Sequence, residues 1–177
     1  MVRTYRGTCA CGAVSMEAIG EPLDVLSCYC STCRRMLGGA SRHDTMLFWS
    51  PALKVTGEID YEQTSSCCGL VAMQRGKCRA CKDLVHEYGQ RLATGSACTQ
   101  AKFFGLKPTV NIYYESRGNA DDLPVPGIPV YHSDAASFGR MVLSLAMGLY
   151  RLPWVLIMAT CRSRHQRNSD DIKKKAE

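Results

Sequence analysis

"LSCYCSTCRR", residues 26–35, sets Cys28, Cys30 and Cys33 within six positions and follows them at once with Arg34 and Arg35. The stretch joins a CxC pair to a CxxC turn, so its three thiolates can converge on one metal ion without help from elsewhere. Zinc that only holds a fold together usually takes four protein ligands. Where the fourth lies, or whether there is one, decides how the rest of the chain is organised.

The chain holds 11 cysteines in 177 residues, an odd number that falls in clusters. The opening "MVRTYRGTCACG" has no apolar run of the kind a secretory signal needs, so a reducing, cytoplasmic setting is expected. There, dense cysteine clusters read as metal ligands rather than disulfides. "CAC" carries Cys9 and Cys11, which on extended backbone would point to one side, and "CRAC" carries Cys78 and Cys81 at a zinc-knuckle spacing. The adjacent Cys67 and Cys68 would diverge on a strand, and Cys98 and Cys161 read as buried or incidental thiols. Pairing Cys9 and Cys11 with Cys78 and Cys81 gives a closed four-thiolate structural site. Cys28, Cys30 and Cys33 then keep an open position, the pattern of a catalytic metal. The expectation is therefore two Zn2+ per chain, one structural and one catalytic.

Length fits one domain plus a tail, set here at 1–135 and 136–177. With 46% apolar and 21% charged residues the composition is that of a globular protein. The net charge of +6 owes much to the terminal "RSRHQRNSDDIKKKAE", so nucleic-acid binding is not expected of the domain itself. Strands are predicted in "AVSMEA" (13–18), with Val14, Met16 and Ala18 on one face, in "TMLFWS" (45–50), in "LKVTG" (53–57) and, most clearly, in "TVNIYYES" (109–116). "CSTCRRMLGGA" reads as a short helix that Gly38 and Gly39 stop. The fold class is mainly β, with helical potential in the tail. Residues 141–160 are long enough to cross a bilayer, but Arg151 at their middle would cost about 2.5–3.5 kcal/mol and Pro153 interrupts the helix, so a packing or peripheral helix pair is preferred to a membrane contact.

"GTCACGAV" (7–14), "SCYCSTCRR" (27–35), "CRAC" (78–81) and the later "NIYYESRGNADDLPVPGIPVYH" together resemble the glutathione-dependent formaldehyde-activating enzymes, a family that includes centromere protein V. The resemblance spans residues 5 to about 133. It implies a β-tent of small antiparallel sheets around zinc, with Cys9, Cys11, Cys78 and Cys81 on the structural ion and Cys28, Cys30 and Cys33 on the catalytic one. It also implies a carbon–sulfur lyase acting on a thiol adduct, the partner being a small thiol such as glutathione, while the extra cysteines and the diverged tail leave room for a specialised metabolite thiol instead. The family usually has an aromatic residue before the second CxxC and glycine after it, where this chain has Lys77 and Lys82, so some strain in that knuckle is expected.

Three thiolates on one zinc leave a net negative charge, which Arg34 and Arg35 are placed in sequence to offset, or they could grip a substrate carboxylate. His43 and Asp44 are candidates for a proton relay or a further ligand, against the plainer reading of a structural histidine. Tyr29, between two ligands, is expected to point away into packing. The alternative to an enzyme is a non-catalytic zinc-stabilised binding module related to centromere protein V.

Overall fold

A computed structural model describes residues 2–65, 71–91, 95–157 and 160. The expectations for Cys67, Cys68, Cys161 and the basic segment 162–177 lie outside the described residues.

Among the described residues, ten strands make two sheets. The smaller sheet has three: β1 (Thr4–Thr8), β2 (Ser15–Ile19) and β5 (Leu53–Thr56), in the order β1-β2-β5. The larger has seven: β3 (Asp24–Cys28), β4 (His43–Trp49), β6 (Ile59–Ser65), β7 (Val71–Cys78), β8 (Leu84–Arg91), β9 (Ser96–Gln100) and β10 (Val110–Ile112). Their order is β10-β3-β4-β9-β8-β7-β6, and every pairing is antiparallel except β10 with β3. The small sheet leans on one face of the large one, and Tyr5, Ala18 and Leu53 meet Val25, Met46, Phe48 and Ala97 in the core between them. This is the mainly β, tent-like arrangement expected.

Period-two alternation explains which side chains serve which face. Just before and along β2 the predicted face is the buried one, with Val14, Met16 and Ala18 at most 2% exposed. Along β3 and β4, Val25, Met46 and Phe48 face the small sheet, while Leu26, Cys28, His43 and Leu47 face the other way. On β8 the alternation breaks: Gly76 pairs with His86 but Lys77 pairs with Leu84, leaving Val85 as a bulge. The extra residue turns Val85 into the core beside Cys9 and Cys78, and lets Glu87 face the opposite side.

Two expectations change. The strand read over 109–116 covers only Val110–Ile112, because Tyr113 takes a left-handed φ of 56° and a 3-10 turn follows at Tyr114–Ser116. The "CAC" pair is not extended: β1 ends at Thr8, and Cys9–Gly12 close a turn through Gly12 N–H to Cys9 C=O (3.0 Å) and Cys9 N–H to Val14 C=O (3.0 Å). Gly12, at φ 76°, supplies the left-handed residue that turn needs.

Helix α1 (Ser31–Met36) is the short helix predicted in "CSTCRRMLGGA", and left-handed Gly38 and Gly39 end it. The tail forms α2 (Asp134–Gly148), capped by the Ser133 hydroxyl. Asp24 anchors α2 by accepting from Ser144 Oγ (2.6 Å) and pairing with Arg140 (2.8 Å), and Trp49 Nε1 donates to Gly148 C=O at 3.1 Å. A 3-10 turn at Leu149–Arg151 separates α2 from helical residues 152–157. No helix among the described residues is long and apolar enough to cross a membrane.

Candidate metal centre and cavity

Four sulfurs meet where β1 ends and β7 turns towards β8. Cys9 Sγ lies 3.5 Å from Cys11 Sγ and 3.7 Å from Cys78 Sγ, Cys11 Sγ is 3.7 Å from Cys78 Sγ, and Cys81 completes the cluster. Four thiolates around zinc at about 2.3 Å define a tetrahedron whose edge is about 3.7 Å, so this donor set fits the ion in number, type and spacing. The amide of Val14 donates to Cys9 Sγ (3.3 Å), and Ala10 N–H donates to Asp83 (3.0 Å), tying the first turn to the second. Burial raises the Cys9 thiol, but the Val14 amide and the neighbouring sulfurs outweigh it and hold Cys9 down at about 6. Lys82 closes the second turn with N–H to Cys78 C=O (2.9 Å), at a left-handed φ of 61° where glycine would sit without strain.

The second cluster is Cys28, Cys30 and Cys33, whose sulfurs all lie within 4.8 Å of one another. Cys28 is the last residue of β3, and Cys30 caps α1 with its own side chain, Sγ accepting from Cys33 N–H at 3.4 Å. The first helical turn then brings Cys33 back beside the other two. Hydrogen bonds from Cys28 and Cys33, helped by the Cys33 amide and Arg75, hold Cys30 far below the ordinary thiol range, at about 2. Among the described residues no fourth His, Cys, Asp or Glu joins this group. The two clusters are therefore the partition that ligand counting predicted, and each could hold a metal ion.

The three cysteines line a cavity of about 160 Å³. Its floor is a row of neighbours across the large sheet: Cys28 pairs with His43, Leu47 with Cys98, Cys98 with Glu87 and Glu87 with Arg75. Its roof is α2, through Phe138, Met141 and Leu145. Arg75 and Glu87 form an ion pair at 2.8 Å with side chains only 7% and 5% exposed, and Arg75 Nη2 also reaches Cys33 Sγ at 4.0 Å. Arg75 further donates to Thr64 Oγ1. His43 is 1% exposed, with Nδ1 3.7 Å from Glu87 Oε1, and neither ring nitrogen has a hydrogen-bond partner. Burial pushes the Cys98 thiol up, which suits an inert wall residue.

Not every candidate gathers here. Arg34 turns away, donating to the carbonyls of Tyr29 and Ser116 at 3.1 Å each, and Arg35 lies exposed on the outer side of α1. The cation that meets Cys33 is Arg75. Asp44 faces the opposite side from His43 and accepts from Ser27 Oγ (2.7 Å) and Arg42 (3.1 Å). Tyr29 is fully buried away from the sulfurs, its hydroxyl 3.3 Å from Asn111 Oδ1. Arg75 and Glu87 were not singled out by sequence, where the one available signal is that Met73 and Arg75 share a face in "VAMQRGKC" just before the second cysteine pair.

The family model described as glutathione-dependent formaldehyde-activating enzyme matches residues 4–116, which hold both cysteine clusters, Arg75 and Glu87. None of the curated proteins compared with the chain matches it.

Proposed function

The chain belongs to the glutathione-dependent formaldehyde-activating enzyme family, and on that premise we propose that it is a zinc-dependent carbon–sulfur lyase acting on a thiol adduct. The observation that carries this reading is the convergence of Cys28, Cys30 and Cys33, three sulfurs with no fourth protein ligand among the described residues, in the lining of a cavity. A zinc ion held there would supply an open coordination position at which a thiol sulfur is favoured as thiolate.

The remaining work falls to side chains of the cavity. In the cleavage direction the adduct's C–S bond breaks with its electron pair going to sulfur, the carbinol hydroxyl loses its proton, and a carbonyl forms. His43 is the group to hold that proton, since its ring nitrogens are buried in the wall and unpartnered. Nδ1 faces Glu87, which leaves Nε2 for the hydroxyl. Arg75 offsets the negative charge of the sulfur cluster from 4.0 Å, while Glu87 keeps the guanidinium in place. Synthesis of the adduct is the same path reversed, with His43 returning the proton. The cluster of Cys9, Cys11, Cys78 and Cys81, lacking an open position, holds the fold.

Zinc content and formaldehyde release from the S-hydroxymethyl adducts of a series of thiols test this together. Wild type should hold about two zinc ions, Cys30→Ser about one, with the circular dichroism kept and release lost. A Cys30→Ser protein that unfolds as badly as Cys78→Ser would refute the division of labour.

A further inference from the structure

The roof of the cavity comes from a part of the chain that the family model does not reach. The match ends at residue 116, and α2 begins at Asp134. This roof is fixed in place rather than lightly apposed. Besides the Asp24 and Trp49 anchors, Ser137 Oγ accepts from Tyr113 N–H at 2.7 Å and donates to Tyr131 C=O at 3.2 Å. Those contacts aim Phe138, Met141 and Leu145 at the sheet, opposite Leu47 and Ile112.

The resulting enclosure suits a small apolar body. About 150 Å³ of apolar cavity accommodates a molecule the size of benzene, whereas drug-sized ligands occupy roughly 300 Å³ or more. The volume here is about 160 Å³. Among the described residues lining it, Arg75 is the sole side chain with a fixed positive charge, and Glu87 and Thr64 already engage it. A carboxylate drawn into this space would find no cation on the lining but Arg75, which is already engaged, and would be desolvated at a cost.

Resting on the lyase reading above, we infer that the thiol whose sulfur meets Cys28, Cys30 and Cys33 is a small uncharged one, its short alkyl chain or single aromatic ring lying beneath Phe138, Met141 and Leu145. These three positions would then set substrate size, and they act by contact with the substrate body rather than with the reacting atoms.

Calorimetric titration of the zinc-loaded full chain with phenylmethanethiol and with glutathione tests the inference. The ring thiol should bind about tenfold or more tightly than glutathione, the effect of burying one ring under the helix. Leu145→Trp, which fills the cavity, should weaken phenylmethanethiol by about tenfold and leave glutathione nearly unchanged. Because the larger side chain could displace α2, Met141→Ala serves as the complementary variant. It adds space and should shift the preference towards 2-naphthalenethiol. Two zinc ions per chain with glutathione bound as tightly as the ring thiol, or a Met141→Ala protein with unchanged preference, would overturn this inference and leave the lyase proposal standing. A chain that holds only the structural zinc and binds neither thiol would overturn both.

Discussion

Glu87→Gln isolates the buried ion pair in the cavity wall. The change keeps the shape of the side chain and removes its charge, leaving Arg75, with 7% of its side chain exposed, without its carboxylate at 2.8 Å. Stripping one partner from a buried pair costs about 3–5 kcal/mol, because the remaining charge has lost its solvent and its counter-charge together. Here the lower end applies. Arg75 keeps Thr64 Oγ1 and stands 4.0 Å from Cys33 Sγ, and the new amide oxygen can still accept one hydrogen bond. We therefore expect a loss of about 3 kcal/mol, which at a urea m-value of about 2 kcal/mol/M lowers the unfolding midpoint by about 1.5 M. The double replacement Arg75→Met with Glu87→Leu should recover most of that loss, since a packed apolar pair replaces a desolvated ionic one. Urea titrations followed by circular dichroism at saturating zinc measure both. A single variant within about 0.5 kcal/mol of wild type would mean that water reaches Arg75, and the account of a dry, charge-balanced wall would fall.

Two further outcomes concern stability away from the cavity. Lys82→Gly should raise stability by about 1 kcal/mol, because glycine takes the φ of 61° without the penalty a side chain carries there, and chemical denaturation of the zinc-bound protein reads the gain directly. Burial first, and then its hydrogen bond to Glu21 at 2.5 Å, push the Tyr5 phenol up to about 12. A raised value favours the protonated form in the fold, so this contribution is complete below pH ~10 and is lost as pH rises towards about 12. Relative to Tyr5→Phe, wild type should lose about 2 kcal/mol across that window in a series of urea titrations, and a constant difference would contradict it.

How far the site was legible depends on what kind of physics set each part. The two sulfur clusters were readable because the requirements of a metal site, ligand number and spacing, can be counted in the sequence itself. Seven well-spaced cysteines can be divided into a closed four and an open three by counting. The burial of Val14, Met16 and Ala18 and the stop at Gly38 and Gly39 were equally local matters of alternation and turn conformation. Arg75 and Glu87 were not legible, because their partnership depends on strand register and on the bulge at Val85, which together bring two residues twelve positions apart onto one face. Arg34 and Arg35 were placed near the cluster by sequence proximity, but on a helix the residues after Cys33 rotate off its face, and Arg34 found backbone carbonyls instead. The end of β10 at Ile112 was hidden for a similar reason. Alternation in "NIYYES" continues, while Tyr113 leaves the extended region. The tail was recognisable as apolar and of helical potential, yet its role as a roof depends on contacts distant in sequence, above all those with Asp24 and Trp49, residues more than ninety positions earlier.

The two sulfur clusters also differ in when they can exist. Cys28, Cys30 and Cys33 enclose a short span, whereas Cys9 and Cys78 are separated by 69 positions. Closing the longer span costs about 2 kcal/mol more in chain entropy, and it cannot happen before residue 81 has left the ribosome. All three members of the open cluster are thus synthesised before the closed cluster can assemble. The closed cluster must await the β7–β8 turn and then fastens the first strand to it. The order of assembly is in this way written into the chain: the three sulfurs of the cavity are synthesised first, and the four that join the first strand to the β7–β8 turn come together second.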